Sequence, residues 1–253
     1  MSGHSKWATI KRKKSKIDDE RGKIFTKIAK EIAVAVKQGG ADPDGNFRLK
    51  LAIQKAKSNN MPADNINRCI QKAAGATEST AYEEFFYEGY GPGGVAVLCA
   101  MMTDNRNRAA SEIRYIFSRN SGNLGETGCV AWMFERKGHI VAELGGKEEE
   151  EEDELILLAL EAGADDVEIE DDAAEVITGA DTLEAVRQAL LAGGFTVSSA
   201  EIAMLPANTV EIKDEETAKA LIKLLDALED NDDVQQVYAN SDISAEVLAM
   251  LEG

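Results

Sequence analysis

Ten cations crowd into residues 1–30: Lys6, Lys11, Arg12, Lys13, Lys14, Lys16, Arg21, Lys23, Lys27 and Lys30. Cations at this density neutralise phosphate and release the counterions condensed on a nucleic-acid backbone. Lysine brings a point charge, and arginine a planar fork for two parallel hydrogen bonds. The plainer reading of such a run is a solvated tail beside a solvated helix face. Its segregation within an otherwise acidic chain favours binding. Trp7 lies between Lys6 and the run Lys11-Arg-Lys-Lys14. It either stacks on a base, as aromatics do in single-strand binders, or anchors the tail on the helices that follow. His4 is expected to contact phosphate or water.

A second polar group, Asp104-Asn-Arg-Asn-Arg108, sits between a strand pattern and a helix pattern. It has two readings. Asp104 or Asn105 caps the helix while the arginines pair on the surface, or Arg106 and Arg108 form a polar claw for phosphate or RNA.

Other chemistries find no constellation. Gly91-Pro-Gly-Gly94 reads as a hairpin turn; it is no Walker loop, because no Gly-Lys-Ser/Thr follows. The three cysteines, Cys69, Cys99 and Cys129, are far apart and form no C-x-x-C. They are expected to be reduced and mostly buried. With only His4 and His139 in the chain, a histidine metal site or a Ser/His/Asp triad is all but excluded. Residues 148–154 are seven consecutive acids, without the spaced, converging ligands of a metal site. They read as a solvated loop and first helical turn, or as an electrostatic element that competes for the basic tail or repels RNA. No activated nucleophile, paired-carboxylate motif or cofactor fingerprint stands out, so no enzyme and no cofactor is expected.

The elements that must position these residues follow from periodicity. Over 253 residues the formal charge is −18, yet residues 1–75 carry 17 basic residues and 7 acids, a net of +10. Residues 76–253 carry 11 basic residues and 39 acids, a net of −28, so the two parts sum to −18. In the basic part a helix is expected over 18–38, with Ile24, Phe25, Ile28, Ile32 and Val36 on one face and Lys23, Lys27, Lys30 and Lys37 on another. Asp42-Pro43 is expected to open a second helix, with Leu49, Ala52, Ile53 and Ala56 as its core stripe. A third carries Ile66, Ile70 and Ala73 and ends at Gly75. Strands are expected over 84–89, 95–102 and 129–134, with a helix over 109–118. From 139 to 204 the order is βαββαβ, the split ferredoxin-like arrangement. A strand over 209–212, a helix over 215–229 and a strand over 234–238 lack partners of their own. They are expected to complete the sheet begun at 84–134.

The expected fold class is therefore α+β: an N-terminal three-helix bundle, then two α/β (ferredoxin-like) domains, the last inserted into the middle one. The expected domains are 1–76, 77–134 with 206–253, and 135–205. No apolar run approaches the ~18 residues of a membrane span, and the N-terminus lacks the apolar segment of a secretory signal. A cytoplasmic location without membrane partners is expected.

Several motifs in fixed order carry a resemblance over essentially the whole chain. They are Gly3-His-Ser-Lys-Trp7, Arg21-Gly-Lys-Ile-Phe25, Asp42-Pro43 with Asn46 and Arg48-Leu49, and Asn60-Met-Pro62. Next come Tyr87-Glu-Gly-Tyr-Gly-Pro-Gly-Gly94, Asp104-Asn-Arg-Asn-Arg108, Gly122-Asn-Leu-Gly125 and Val130-Ala-Trp-Met-Phe134. In these the chain resembles the YebC family, the seven-acid run being a local variation. The resemblance implies three domains, with the third inserted in the second. It also implies one of two functions. One is a DNA-binding transcriptional regulator. The other is a ribosome-associated translation factor that relieves stalling at proline-rich stretches, as a related mitochondrial protein is a translational activator for a cytochrome oxidase subunit. The shared expectation is a nucleic-acid partner, DNA or ribosomal RNA, met by the ten early cations with His4, Trp7, Arg48, Arg106 and Arg108. The competing class is a protein-interaction adaptor using the acidic modules.

Overall fold

The computed structural model describes residues 19–75, 81–144, 149–170 and 173–252. His4, Lys6, Trp7, Lys11, Arg12, Lys13, Lys14, Lys16 and Glu148 lie outside the described residues. The chain divides into two compact units, residues 1–134 with 206–253, and residues 135–205.

The first unit begins with three helices, α1 (Asp19–Gly39), α2 (Phe47–Ser58) and α3 (Ala63–Gly75). Ile28, Ile32, Ala35 and Val36 of α1 pack on Leu49, Ala52 and Ala56 of α2 and on Met61 and Ile66. The apolar face expected for α1 is thus its core face. The second helix starts later than Asp42-Pro43 predicts. Asp42 instead makes a turn, accepting from the Asp44 N–H at 3.1 Å, and Asn46 is the cap. Its Oδ1 accepts from Leu49 N at 3.1 Å, and its Nδ2 donates at 2.8 Å to the carbonyls of Ala35 and Gly40. One buried amide thereby starts α2 and satisfies carbonyls left open at the end of α1. Gly40, at φ +87°, provides the left-handed residue that ends α1.

Next come β1 (Glu83–Tyr90), β2 (Ala96–Thr103), α4 (Arg106–Arg119) and the two-residue β3 (Asn123–Leu124). β1 and β2 are antiparallel, Tyr90 opposite Ala96, and the turn between them holds Pro92–Gly94. Gly93 has φ +73°, a backbone that costs glycine nothing.

The second unit carries β4 (Phe134–Glu143, whose first residue belongs to the first unit), α5 (Glu149–Glu161), β5 (Ala164–Glu170), β6 (Ala173–Thr178), α6 (Leu183–Ala192) and β7 (Thr196–Pro206). Its sheet order is β5-β6-β4-β7, with β4–β6 and β5–β6 antiparallel. That is the ferredoxin-like order read from βαββαβ. Ile140, Val176, Leu155, Leu183 and Leu190 are fully buried within it.

The chain then returns to the first unit with β8 (Val210–Ile212), α7 (Glu215–Glu229), β9 (Val234–Ala239), β10 (Ser241–Ile243) and α8 (Ala245–Glu252). β9 pairs with β2, giving the sheet β3-β1-β2-β9 from strands on both sides of the insertion. Val97, Cys99 and Met101 of β2 meet Ile113 and Phe117 of α4 and Leu221, Leu224 and Leu228 of α7 in one core. β8 and β10 form a parallel pair. Neither β10, α8 nor β3 was anticipated, being too short for a readable period.

One strand expectation is overturned. Residues 129–134 are not a strand: Ala131–Met133 is a 3₁₀ turn, and the strand begins at Phe134. The cause is Glu88 of β1, 3% exposed. Its carboxylate accepts the N–H groups of Gly128 at 2.7 Å, Val130 at 2.8 Å and Ala131 at 2.7 Å. Donors taken by one side chain cannot form a ladder.

Cys99 is buried, and burial alone pushes its thiol up to about 12. Cys69 and Cys129 are half-buried, less enclosed than expected, and all three are free thiols.

Candidate nucleic-acid interface

The lysine face of α1 meets the end of α7 and the segment after it. Lys23 lies 2.9 Å from Asp230, and Lys27 donates to the Glu229 carbonyl. Lys30 lies 2.8 Å from an Asp233 oxygen, donates to the Asp232 carbonyl at 2.9 Å, and sits 5.6 Å from the Tyr82 ring centre. The attraction has a simple source. A helix C-terminus presents open carbonyls and partial negative charge, and here three aspartates, Asp230, Asp232 and Asp233, follow.

Asp233 is the hub, with its side chain 5% exposed. Besides Lys30 it receives Arg108 Nη2 at 2.7 Å and Thr103 Oγ1 at 2.9 Å. Burial works to raise its carboxyl pKa. The hydrogen bonds from Arg108, Lys30 and Thr103, with the Lys30 charge, outweigh burial and hold it below the usual range. The hydrogen bonds that Arg108 donates to Asp233 and then to Asp104 push its guanidinium further above its ordinary value. The open cleft beside this hub, about 520 Å³, is lined by Lys23, Lys30 and Arg108. Five carboxylates also line it: Asp104, Glu112, Asp230, Asp232 and Asp233. Its lining thus holds more anions than cations, a balance that disfavours phosphate.

The other sequence-nominated arginines also have partners within the molecule. Arg48 donates to Gln38 at 2.8 Å and forks onto both oxygens of Glu84. That hydrogen bonding, outweighing burial, holds the Glu84 carboxyl low. Arg106 lies 3.4 Å from Glu83 and 4.2 Å from the Phe85 ring centre. Asn105 caps α4, accepting from the Arg108 N–H at 3.1 Å. Residues 104–108 are laid out as a cap and a brace, the first of their two readings. Arg21 is on α1, on the turn that precedes Lys23 and Lys27.

Cations that sequence reasoning passed over stand differently. Lys57, Arg68 and Lys72 on the bundle, and Arg114 and Arg119 on α4, are exposed, as is Lys37 from the lysine face expected for α1. They have no ion-pair partner among the described residues. Arg68 and Lys72 share a stripe of α3 with Asn67 and Gln71 beside them, all exposed, away from Ile66 and Ile70. The signal was present: a polar stripe at spacing four opposite an apolar one. α2 and α3 are joined by residues 59–62, with Asn60 at φ +57°.

Among the described residues no His/Cys/Asp/Glu group could hold a metal ion, and no helix is long and apolar enough to cross a membrane.

Known proteins agree with this architecture. A protein from Moorella thermoacetica, "Probable transcriptional regulatory protein", is 57% identical over 255 residues, covering 100% of each chain. One of the same name from Pelotomaculum thermopropionicum is 58% identical over 243 residues, covering 96% of this chain and 99% of its own. The crystal structure of a conserved hypothetical protein from Aquifex aeolicus superposes with a TM-score of 0.83 at 48% identity, covering 92% of this chain and 95% of that one. The family model for the TACO1/YebC protein N-terminal domain matches residues 5–76, and that for the TACO1/YebC second and third domain matches residues 82–241. Matched along nearly all of its length, the chain belongs to the TACO1/YebC family.

Proposed function

We propose that the protein is a non-enzymatic, nucleic-acid-binding regulator of gene expression, a transcriptional regulator working in the cytoplasm. The observation that carries the reading is the segregation of charge: +10 over residues 1–75 against −28 over the rest. In this reading residues 1–76 are the binding domain, 77–134 with 206–253 the body, and 135–205 an inserted module. The tail cations Lys6, Lys11, Arg12, Lys13, Lys14 and Lys16 supply most of the affinity by counterion release. Asn67, Arg68, Gln71 and Lys72 of α3 are side-chain types that read base edges or hold phosphates in a major groove. Lys23, Lys27 and Lys30 fix the bundle against residues 229–233, which aims that face.

A second reading, a ribosomal-RNA-associated translation factor, is favoured by a different observation: Trp132 is 71% exposed on the acidic body. A stacked duplex offers no free base face to such a ring, whereas folded RNA displays unstacked bases in loops and bulges. Recovery of the protein from cells separates the readings. Discrete DNA fragments without ribosomes support transcription. Ribosomes that stay bound after DNase treatment support translation. Recovery free of both nucleic acids, in low salt, would overturn the proposal. Deletion of residues 1–16 is expected to weaken binding to all sequences alike.

A further inference from the structure

Trp132 is an exposed indole with a built support. It stands in the 3₁₀ turn that the buried Glu88 carboxylate holds by three backbone N–H groups. The Cys129 carbonyl in the same loop accepts twice, from Trp132 Nε1 at 3.1 Å and from Tyr90 Oη at 3.2 Å. Tyr90 is itself 37% exposed. The polar atoms of both rings are thus satisfied inside the protein, while ring surface faces solvent. Ordering an exposed indole in this way forgoes its rotamer freedom, which folding alone does not require.

The charge beside this pair is the second observation. Arg119 is the last residue of α4, and residues 120–122 lead from it to Asn123, which lies opposite Tyr90 across β1–β3. Arg119 is exposed and without an ion-pair partner among the described residues, as is Arg114 five residues earlier on the same helix. Tyr115, 65% exposed, lies between them in sequence. Bare aromatic surface, with an exposed arginine four residues before the partner of Tyr90, on a body with 7 basic and 19 acidic residues (net −12), fits a ligand with both a π-face and a negative charge. A single-stranded nucleic-acid segment has both, repeated along its length.

We infer that Trp132 and Tyr90 form a stacking platform for an unpaired base of single-stranded nucleic acid, with Arg119 holding the adjoining phosphate. The inference rests on the nucleic-acid reading above, but on neither its DNA nor its ribosomal form. It places a base-binding surface on the body, apart from the basic tail.

The chain has two tryptophans, so W7F leaves Trp132 as the only one. The test titrates the full-length W7F protein with three probes: short oligouridylate, duplex RNA of equal length, and inorganic polyphosphate. Filter retention reports binding, and indole emission reports stacking. Oligouridylate is expected to quench Trp132, whereas duplex and polyphosphate bind without quenching. Adding W132A is expected to cost roughly 5- to 150-fold in oligouridylate affinity, the range of one missing stack, with polyphosphate binding and the melting temperature unchanged. Oligouridylate retained on the filter with emission unchanged, and with full affinity in W132A, would overturn the platform while leaving the nucleic-acid reading intact; that face would then belong to a protein partner. No retention of any probe would overturn both.

Discussion

Two groups of cations in the first unit have opposite fates. Along α1, Lys23, Lys27 and Lys30 are met by the end of α7 and by Asp230, Asp232 and Asp233. On α3 and at the end of α4, Arg68, Lys72, Arg114 and Arg119 are exposed and have no ion-pair partner among the described residues. A charge count cannot tell these groups apart. The difference teaches that part of the basic excess in residues 1–75 holds the chain to itself and does not add to the charge offered to a polyanion. The two groups should therefore separate in experiment, one in stability and the other in affinity.

The largest expected effect lies at the first group's hub. D233A removes the acceptor shared by Lys30, Arg108 and Thr103, leaving Lys30 largely buried without its carboxylate. Breaking such a pair is expected to cost about 3 kcal/mol in urea denaturation, with affinity for nucleic acid nearly unchanged. Loss of affinity without loss of stability would break the comparison. E88A comes next. It frees three N–H groups in the loop that carries Trp132 and is expected to cost about 2 kcal/mol, together with a red shift of Trp132 emission in the W7F protein as the loop loosens.

Acid should reveal the same hub. The folded Asp233 carboxyl is held below its unfolded value of about 3.9. Its contribution is therefore complete above roughly pH 4 and is lost as pH falls through the lowered value. Urea midpoints followed below roughly pH 4 should fall more steeply for the natural chain than for D233A. The smallest stability effect belongs to the second group. R68A/K72A is expected to change stability by under about 0.5 kcal/mol, while the log–log salt slope of nucleic-acid binding becomes shallower by about 1 for each phosphate left without its cation.

What the sequence made legible was local. The apolar stripe Ile28, Ile32 and Val36 fixed the core face of α1, and βαββαβ over 139–204 yielded the ferredoxin-like sheet. The unpaired strand at 234–238 implied its return to the sheet begun at 84–134, where it pairs with β2. What stayed hidden depends on pairings that no local window contains. Lys30 finds Asp233 across 203 positions and Glu88 finds Val130 across 42. The first pairing turned a presumed binding lysine into a fastening. The second turned an apparent strand into a loop carrying an exposed indole. Arg48 shows the same limit: its partner Glu84 lies on a different element. Arg68 and Lys72, by contrast, carry a local signal in their spacing, since an exposed stripe needs no distant partner, although only the apolar stripe of that helix was read.

The central claim is that the cations of the tail, with Arg68 and Lys72 of α3, hold nucleic acid while Lys27 and Lys30 hold the molecule together. Its most direct test is a salt titration of nucleic-acid affinity for three proteins: the natural chain, the K27A/K30A variant, and the chain lacking residues 1–16. About five neutralised phosphates give a log–log slope of about −4 to −5 for the natural chain. The account predicts the same slope for K27A/K30A and, without the tail, a slope reduced to about −2 or shallower, the share left to Arg68 and Lys72. A flat slope for the natural chain, or a slope that collapses in K27A/K30A and survives loss of the tail, would contradict it.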